Sequence, residues 1–244
     1  MKIMTLNMWQ GRLEKVLLSH LETLDVDFAC MQEAVSCTGD TAGLATTYQK
    51  AGKSLGLDQS FFSPITHTKL GAKDLEFGNV IYGRFPFLQS NTVFTRGEYK
   101  ENFDFDADDY NIRAFQHVEV QVGDKRLHLL NHHGHHINEH KLGDEETLRQ
   151  VRQIADYLGQ LEGAVILCGD FNLSPESNSI GVLNNILRNL STEDGVQTTR
   201  SRLTSKNEVC DYIFVNNEVQ VEHFVMDDEI VSDHNALIVD FDIR

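Results

Sequence analysis

The chain has 244 residues and 27.7 kDa, with 37 acidic and 21 basic side chains and a formal charge of −16. A content of 41% hydrophobic and 24% charged residues, with only 3 prolines, is that of a folded globular protein and excludes collagen-like and low-complexity classes. The charge weighs against a polyanion as partner, because nonspecific nucleic-acid binding draws on Lys/Arg–phosphate contacts and a net negative field repels phosphate. The four cysteines, Cys30, Cys37, Cys168 and Cys210, form no C-x-x-C pair. Cys30 and Cys168 fall in apolar runs and read as buried free thiols of a reducing compartment. The opening "MKIMTLNMWQ" lacks the apolar stretch of a signal peptide, and no run of about 20 apolar residues occurs. The expectation is a cytoplasmic protein without a membrane span, a single domain over 1–244, and a monomer.

In chain order, the pattern predicts a strand at 2–6 and then a helix over 12–24 with Leu13, Val16, Leu17, Leu21 and Leu24 on one face. A strand at 27–31, an Ala/Thr-rich helix at 41–55 and a strand at 79–82 follow. The run 115–122 alternates His117, Glu119 and Gln121 with Val118, Val120 and Val122, which predicts a half-buried strand; 126–131 continues as another. Residues 144–161 carry a stripe of Leu148, Val151, Ala155, Leu158 and Leu161, and 164–168 ("AVILC") reads as a strand buried on both faces. Residues 175–190 read as a helix with Ser174 as N-cap and Pro175 at its first position. Strands at 211–215 and 219–226, joined near Asn216-Asn217, suggest an antiparallel hairpin, and a last strand covers 236–241. Strands outnumber helices about two to one. Two sheets packed face to face, with helices outside, would bury every apolar surface, giving a layered α/β sandwich.

The rare polar side chains fall at strand ends. Asn7 follows the first strand, Glu33 the second, His132 and His133 follow "HLLN", and Asp170 and Asn172 follow "AVILCG". Asp211 opens "DYIFV", while Asp233 and His234 precede "ALIVDF". If those ends share one rim, carboxylates, carboxamides and imidazoles converge. Such a set suits phosphoester hydrolysis: carboxylate oxygens hold a hard cation such as Mg²⁺ or Mn²⁺, an Asp-held histidine moves a proton near neutral pH, and amides or imidazoles donate to phosphoryl oxygens.

"LNMW", "MQEA", "NHHG", "CGDFNLSP", "CDYIFV" and "SDHNALIVDF" occur in an order and spacing that resemble the endonuclease/exonuclease/phosphatase family, the DNase I-like metal-dependent phosphoesterases. The resemblance spans Asn7 to Phe241. It implies a four-layer αββα sandwich of two mixed β-sheets. It also implies Glu33 as main metal ligand with Asn7 beside it and Asp233 near the ion, and Asp170 with His234 as a proton-transfer pair. Asp211 would orient His234, Asn172 would contact phosphate, and His133 would be a phosphate contact or leaving-group acid, with His132 in the variable place before it. Where abasic-site nucleases of the family carry a second carboxylate two residues after the first asparagine, this chain has Trp9, which weakens a two-metal reading.

Three further features need weighing. "NHHGHHINEH" holds five of the eleven histidines, and His136 and His140 are four apart. Gly134 interrupts the cluster, so an active-site loop is preferred to a zinc helix. The stretch 98–109 has six acids against one lysine, but Asp109 and Phe115 occupy the places where a calcium loop needs Gly and Glu, so it reads as a solvated acidic loop. Arg113 is a weaker candidate for a phosphate contact. The functional expectation is a Mg²⁺- or Mn²⁺-dependent phosphodiesterase on a small or lipid-like phosphoester; the alternatives are a DNA or RNA nuclease and an inactive binding protein on the same fold.

Overall fold

A computed structural model describes residues 1–38 and 47–244. The first half contains β1 (Lys2–Asn7), a 3-10 turn (Trp9–Gly11), α1 (Glu14–Leu21), β2 (Phe28–Thr38), α2 (Thr47–Leu55), β3 (Gln59–Leu70), β4 (Lys73–Gly83) and β5 (Phe87–Arg96). Then come β6 (Arg113–Val122), β7 (Lys125–His133), α3 (Glu145–Leu158), β8 (Ala164–Asp170), α4 (Asn178–Asn184), β9 (Arg188–Asn189), α5 (Leu190–Glu193), β10 (Asp211–Val215), β11 (Val219–Met226) and β12 (Leu237–Ile243). They form two six-stranded mixed sheets, ordered β11-β12-β1-β2-β4-β3 and β5-β6-β7-β8-β10-β9. Each sheet has one parallel pair at its centre, β1 with β2 and β7 with β8.

Period-two alternation builds the layers. Along β8, Ala164, Ile166 and Cys168 point between the sheets, while Val165 and Leu167 point outward under α3 and α4. Strand β12 sends Leu237, Val239, Phe241 and Ile243 into the same inter-sheet core. On the other outer face, Met4, Leu6, Ala29 and Met31 pack against Leu17 and Leu21 of α1 and Ala51 and Leu55 of α2. The result is the expected αββα arrangement, and all four cysteines are buried free thiols. No described helix is long and apolar enough to cross a membrane.

At one end the inter-sheet core turns polar. Gln32 donates to Asn131 Oδ1 at 2.7 Å, and Asn131 donates back to Met31 O, Val80 O and Gln116 Oε1 at 2.9–3.1 Å. Gln116 in turn donates to Phe61 O and Ser63 Oγ. Buried amides seek partners, and each of these three makes at least one bond to the opposite sheet, although Gln32 Oε1 has no partner among the described residues; the belt ties the two sheets together beneath the rim.

Several expectations need correction. Asn216-Asn217 does not make a hairpin, because β10 and β11 lie in different sheets. Asn216 instead braces the crossing: it accepts from Val165 N at 3.1 Å and donates to Gly163 O at 2.8 Å. The segment 175–190 is not one helix. Ser177, rather than Ser174, caps a short α4 by accepting from Ser179 N, and Asn189 caps α5 by accepting from Thr192 N. Val16 is 47% exposed rather than part of the packed face of α1. Residues 41–46 of the helix expected at 41–55 lie outside the described residues, and the helix seen starts at Thr47. Strands β3 and β5 carried no apolar signal because both are sheet edges with exposed or partly exposed faces, and β3 holds Pro64 beside a bulge. Finally, β6 is buried on both faces through Val120. Helix α3 covers its polar face, where His117 meets Tyr157 Oη at 2.9 Å and His128 at 3.0 Å.

Burial, reinforced by neighbouring His128, lowers the His117 pKa from 6.5 to about 4. Below pH 6.5 the unfolded chain therefore holds the extra proton, and stability falls as pH drops from 6.5 toward about 4, by up to about 3 kcal/mol for this one group. Urea denaturation at pH 7.0 and 4.5 should show a smaller loss in His117→Gln than in the unmodified protein; parallel losses would contradict this assignment.

Candidate active site

Seven of the singled-out side chains meet at one rim because of strand direction. The parallel pairs β1·β2 and β7·β8 deliver Asn7, Glu33, His133 and Asp170 at or beside their C-terminal ends. Strand β10 runs antiparallel to β8, with Asp211 paired to Asp170, and β12 runs antiparallel to β1, so the turn holding Asp233 and His234 reaches the same edge.

Local backbone features aim the groups. Two residues of β2, Gln32 and Glu33, oppose the single Asn79 of β4, a bulge that puts Glu33 at φ +56°. Left-handed backbone costs a non-glycine residue about 1 kcal/mol, and here it turns the carboxylate into the cleft. Asn172 is also left-handed, at φ +56°, with its N–H on Asp170 Oδ1 at 2.9 Å. Gly169, at φ +135°, lets β8 approach β7 so closely that a Cβ would collide with His132 O. Gly134 likewise lies against Phe171, and its N–H donates to Asp170 O at 2.7 Å.

The side chains form one buried chain. Asn7 Nδ2 donates to both Glu33 Oε1 and Asp170 Oδ2, each at 3.1 Å. Asp170 Oδ2 lies 3.6 Å from His234 Nε2 and 3.9 Å from His133 Nε2. His234 Nδ1 contacts both oxygens of Asp211, at 2.9 and 3.0 Å, and Thr199 Oγ1 donates to Asp211 Oδ2 at 2.5 Å. Arg200 Nη1 closes the chain on His234 Nε2 and lies 3.9 Å from Asp233 Oδ2. Glu33, His133, Asp170, Arg200, Asp233 and His234 of this chain line a cleft of about 250 Å³, together with Trp9, His136 and Lys206.

Charge within the chain is strongly polarised. Burial disfavours the Asp170 anion, yet the charges of His234, Arg200 and His133 outweigh it and hold the carboxyl well below the usual range. Burial also opposes the His234 imidazolium, but Asp211 and Asp170 outweigh it and raise its pKa. Glu33 goes the other way: burial raises its carboxyl pKa, and the nearby Asp170 and Asp233 charges add to the rise. Burial and Arg113 push the His133 imidazole well below its usual value, and burial with Lys141 and Lys206 brings His136 to about 4.

Not every candidate stands where its role was expected. Asp233 faces Arg200, and Ser232 Oγ donates to its Oδ1 at 3.4 Å. Arg113 borders the cleft, but it donates through Nε to Gly134 O at 2.6 Å, through Nη1 to Tyr110 O and Ile112 O, and through Nη2 to Asn111 Oδ1. It staples the loop after Gly134 to the acidic segment. His132 packs edge-on against Phe171 in the outer core, and His135 meets Arg96 at 3.2 Å. Residues 134–143 are not helical, so His136 and His140 do not share a face. Arg200 and Lys141, whose Nζ donates to Asn172 Oδ1 at 3.1 Å, were not anticipated. The one available signal was position: Arg200 lies ten residues before Cys210, which opens "CDYIF", in a chain poor in cations.

Asp170, Asp211 and His234 offer donor atoms within 4.8 Å of one another. Both nitrogens of His234 already face protein partners, however, so these three are engaged with one another and with Arg200 rather than open to an ion. The hard oxygens of Glu33 and Asn7 fit a divalent cation better. Two carboxylates converge on the single amide of Asn7, and Asp170 and Asp233 bring further negative charge beside the buried Glu33 carboxylate.

The family model for the endonuclease/exonuclease/phosphatase family matches residues 4–234. The chain belongs to that family. Its members hydrolyse phosphoester bonds, and this chain is a hydrolase of that class. Among solved structures, a family protein from Leptotrichia buccalis is 18% identical with a TM-score of 0.75, covering 100% of both chains. A humanised D. rerio TDP2 is 16% identical with a TM-score of 0.71, over 99% of this chain and 98% of that one. The Bacteroides thetaiotaomicron mannosyl-6-phosphatase is 14% identical with a TM-score of 0.69 over the full length of both. These likenesses show a shared fold. No curated protein matches the chain in sequence.

Gly169→Ala should cost at least about 3 kcal/mol or prevent folding, since both the left-handed backbone and His132 O oppose a Cβ. Gly56→Ala, at φ +63° with nothing within 4 Å, should cost only about 1 kcal/mol. Equal losses in thermal or urea unfolding would refute the close-approach account.

Proposed function

We propose that this family member is a divalent-metal-dependent phosphodiesterase acting on a small or lipid-like phosphoester, with Asp170 and His234 as its proton-transfer pair. The observation that carries the reading is the continuous chain Glu33–Asn7–Asp170–His234–Asp211, which joins a hard-cation site to an Asp-held histidine within one cleft. When bound at Glu33 and Asn7, with Asp233 nearby, Mg²⁺ or Mn²⁺ would supply positive charge to the phosphoryl oxygens.

The protein's own groups account for the rest. Water attacks phosphorus in line, the new P–O bond forms as the ester P–O bond breaks, and the water proton passes to the Asp170–His234 pair. Asp170, held anionic by surrounding cations, orients the water through Oδ2. His234, kept in place by Asp211, shares the water proton with Asp170 through Nε2, 3.6 Å from Asp170 Oδ2, and the pair returns it to the departing alkoxide. Asn172 and His133 donate to the remaining phosphate oxygens. Arg200, buried beside His234 with its Nε unpartnered among the described residues, adds a fixed positive charge where the phosphate arrives.

The net charge of −16 supports a compact substrate over a duplex. A nuclease remains the second reading, favoured by the cluster of Arg200, Lys141 and Lys206 around the cleft.

Bis(p-nitrophenyl) phosphate should be hydrolysed with Mg²⁺ or Mn²⁺ and not with EDTA, restored on adding metal. Asp170→Asn and His234→Ala should each lower kcat by about 10²–10⁴. Full activity in either variant would reject the assignment. Because burial opposes the Glu33 charge, Glu33→Gln should unfold at a higher temperature than the unmodified protein without metal, and should lose the rise in Tm that Mn²⁺ gives the unmodified protein. A Mn²⁺-induced rise that survives in Glu33→Gln would place the ion elsewhere.

A further inference from the structure

Beside the catalytic cleft lies a second cavity of about 200 Å³. It shares Gln10, Glu33, Arg113 and His133 with the cleft, so the two are continuous. Its outer wall is aromatic: Phe77 meets Phe105 edge-on at 5.6 Å, Phe105 meets Phe103 at 5.2 Å, and Phe103 meets Tyr110 at 5.5 Å. Phe105 and Tyr110 are 44% and 57% exposed, an unusual placement for large rings unless something covers them.

The wall is fixed in place. Phe103 N donates to His67 O at 2.7 Å, and Lys100 N to Ile65 O at 3.1 Å, tying the segment to β3. Tyr110 Oη donates to Phe105 O, and Arg113 holds Tyr110 O at 2.9 Å. Here the acidic segment departs from a merely solvated loop. Its carboxylates turn outward, Asp108 to Lys100 at 3.2 Å and Asp109 to Arg96 at 2.7 Å, while its aromatic rings turn toward the cavity.

A second observation points to an occupant. Asn79, which also lines the cavity, is 2% exposed, and its buried Oδ1 has no hydrogen-bond partner among the described residues. An unsatisfied buried amide is costly unless something that enters the site supplies the missing partner.

We propose that this cavity is the substrate's specificity pocket and takes an uncharged, flat ring, carried on the organic part of the phosphoester, with a polar atom at its inner edge for Asn79. The proposal rests on the phosphoester-hydrolase cleft proposed above, which places the phosphate between Glu33 and His234 and so leaves an ester substituent facing Phe77, Phe103 and Phe105. An uncharged ring fits better than a cationic group, because among the described lining residues the single carboxylate, Glu33, is matched by the guanidinium of Arg113. Offset or edge-on packing against several rings adds affinity beyond area burial.

The test uses the whole protein with saturating Mg²⁺ and two non-hydrolysable probes, phenylphosphonate and methylphosphonate, measured by calorimetry. The unmodified protein should bind phenylphosphonate about tenfold more tightly, and Phe105→Ala should reduce that preference to about twofold or less; the exposed Phe105 makes this a variant that keeps the fold. Equal affinity for the two probes, or an unchanged preference in Phe105→Ala, would overturn the pocket. In parallel, the ratio of kcat/KM for phenyl over methyl esters of phosphate should fall in Phe105→Ala by a similar factor, and an unchanged ratio would count against the pocket. A preference for phenylphosphonate in a protein that cleaves neither ester would support the pocket while rejecting the assignment of Asp170 and His234.

Discussion

Polar groups buried between two β-sheets must be satisfied across the gap, and that requirement organises this molecule. At the apolar end, Ile3, Val118, Ile166 and Val239 pack with no directional demand. At the other end, Gln32, Asn131 and Gln116 form a belt whose bonds fix sheet against sheet. Directly above it, Asn7 of one sheet holds Asp170 of the other, and His234 of the first holds Asp211 of the second. A relative slip of the sheets would break the belt and the site together. The geometry of the reactive groups is therefore inherited from the packing of the sandwich, with the loops adding only the final orientation.

Stability is given up locally to achieve this. Glu33 and Asn172 sit in left-handed backbone, Glu33 carries a charge that burial opposes, and Arg200 leaves a buried Nε without a partner among the described residues. Glu33, Asn172 and Arg200 all line the same cleft, so this strain and unsatisfied polarity fall where a ligand would bind. The same logic extends to Asn79 in the neighbouring aromatic cavity.

Much of this was legible in the sequence. Central strands such as "AVILC" announce themselves because both faces are covered, and the polar residues closing them mark the rim. The layered sandwich followed from counting strands against helices. The edge strands β3 and β5 were illegible because an exposed strand needs no apolar run. The supposed hairpin at Asn216-Asn217 misled because a two-residue turn signal says nothing about which sheet the next strand joins. Arg200 and the aromatic wall were hidden for a different reason. Their meaning depends on long-range contacts, Arg200 with His234 and Phe105 with Phe77, which no local spacing encodes. The expected strand stopped at Met31, but β2 runs on to Thr38, and the bulge at Glu33 explains how a glutamate in the middle of that strand turns into the cleft.

The central claim is that a divalent ion at Glu33 and Asn7 lies beside the imidazoles of His133 and His234. Paramagnetic broadening of histidine ring signals by substoichiometric Mn²⁺ tests it directly by NMR. His128 provides an internal reference, since it stands five residues before His133 in β7, about 16 Å back along the strand. The account predicts selective broadening of His133 and His234, with His128 far less affected, and loss of the selectivity in Glu33→Gln. Uniform broadening of all three, or selective broadening that persists in Glu33→Gln, would contradict it.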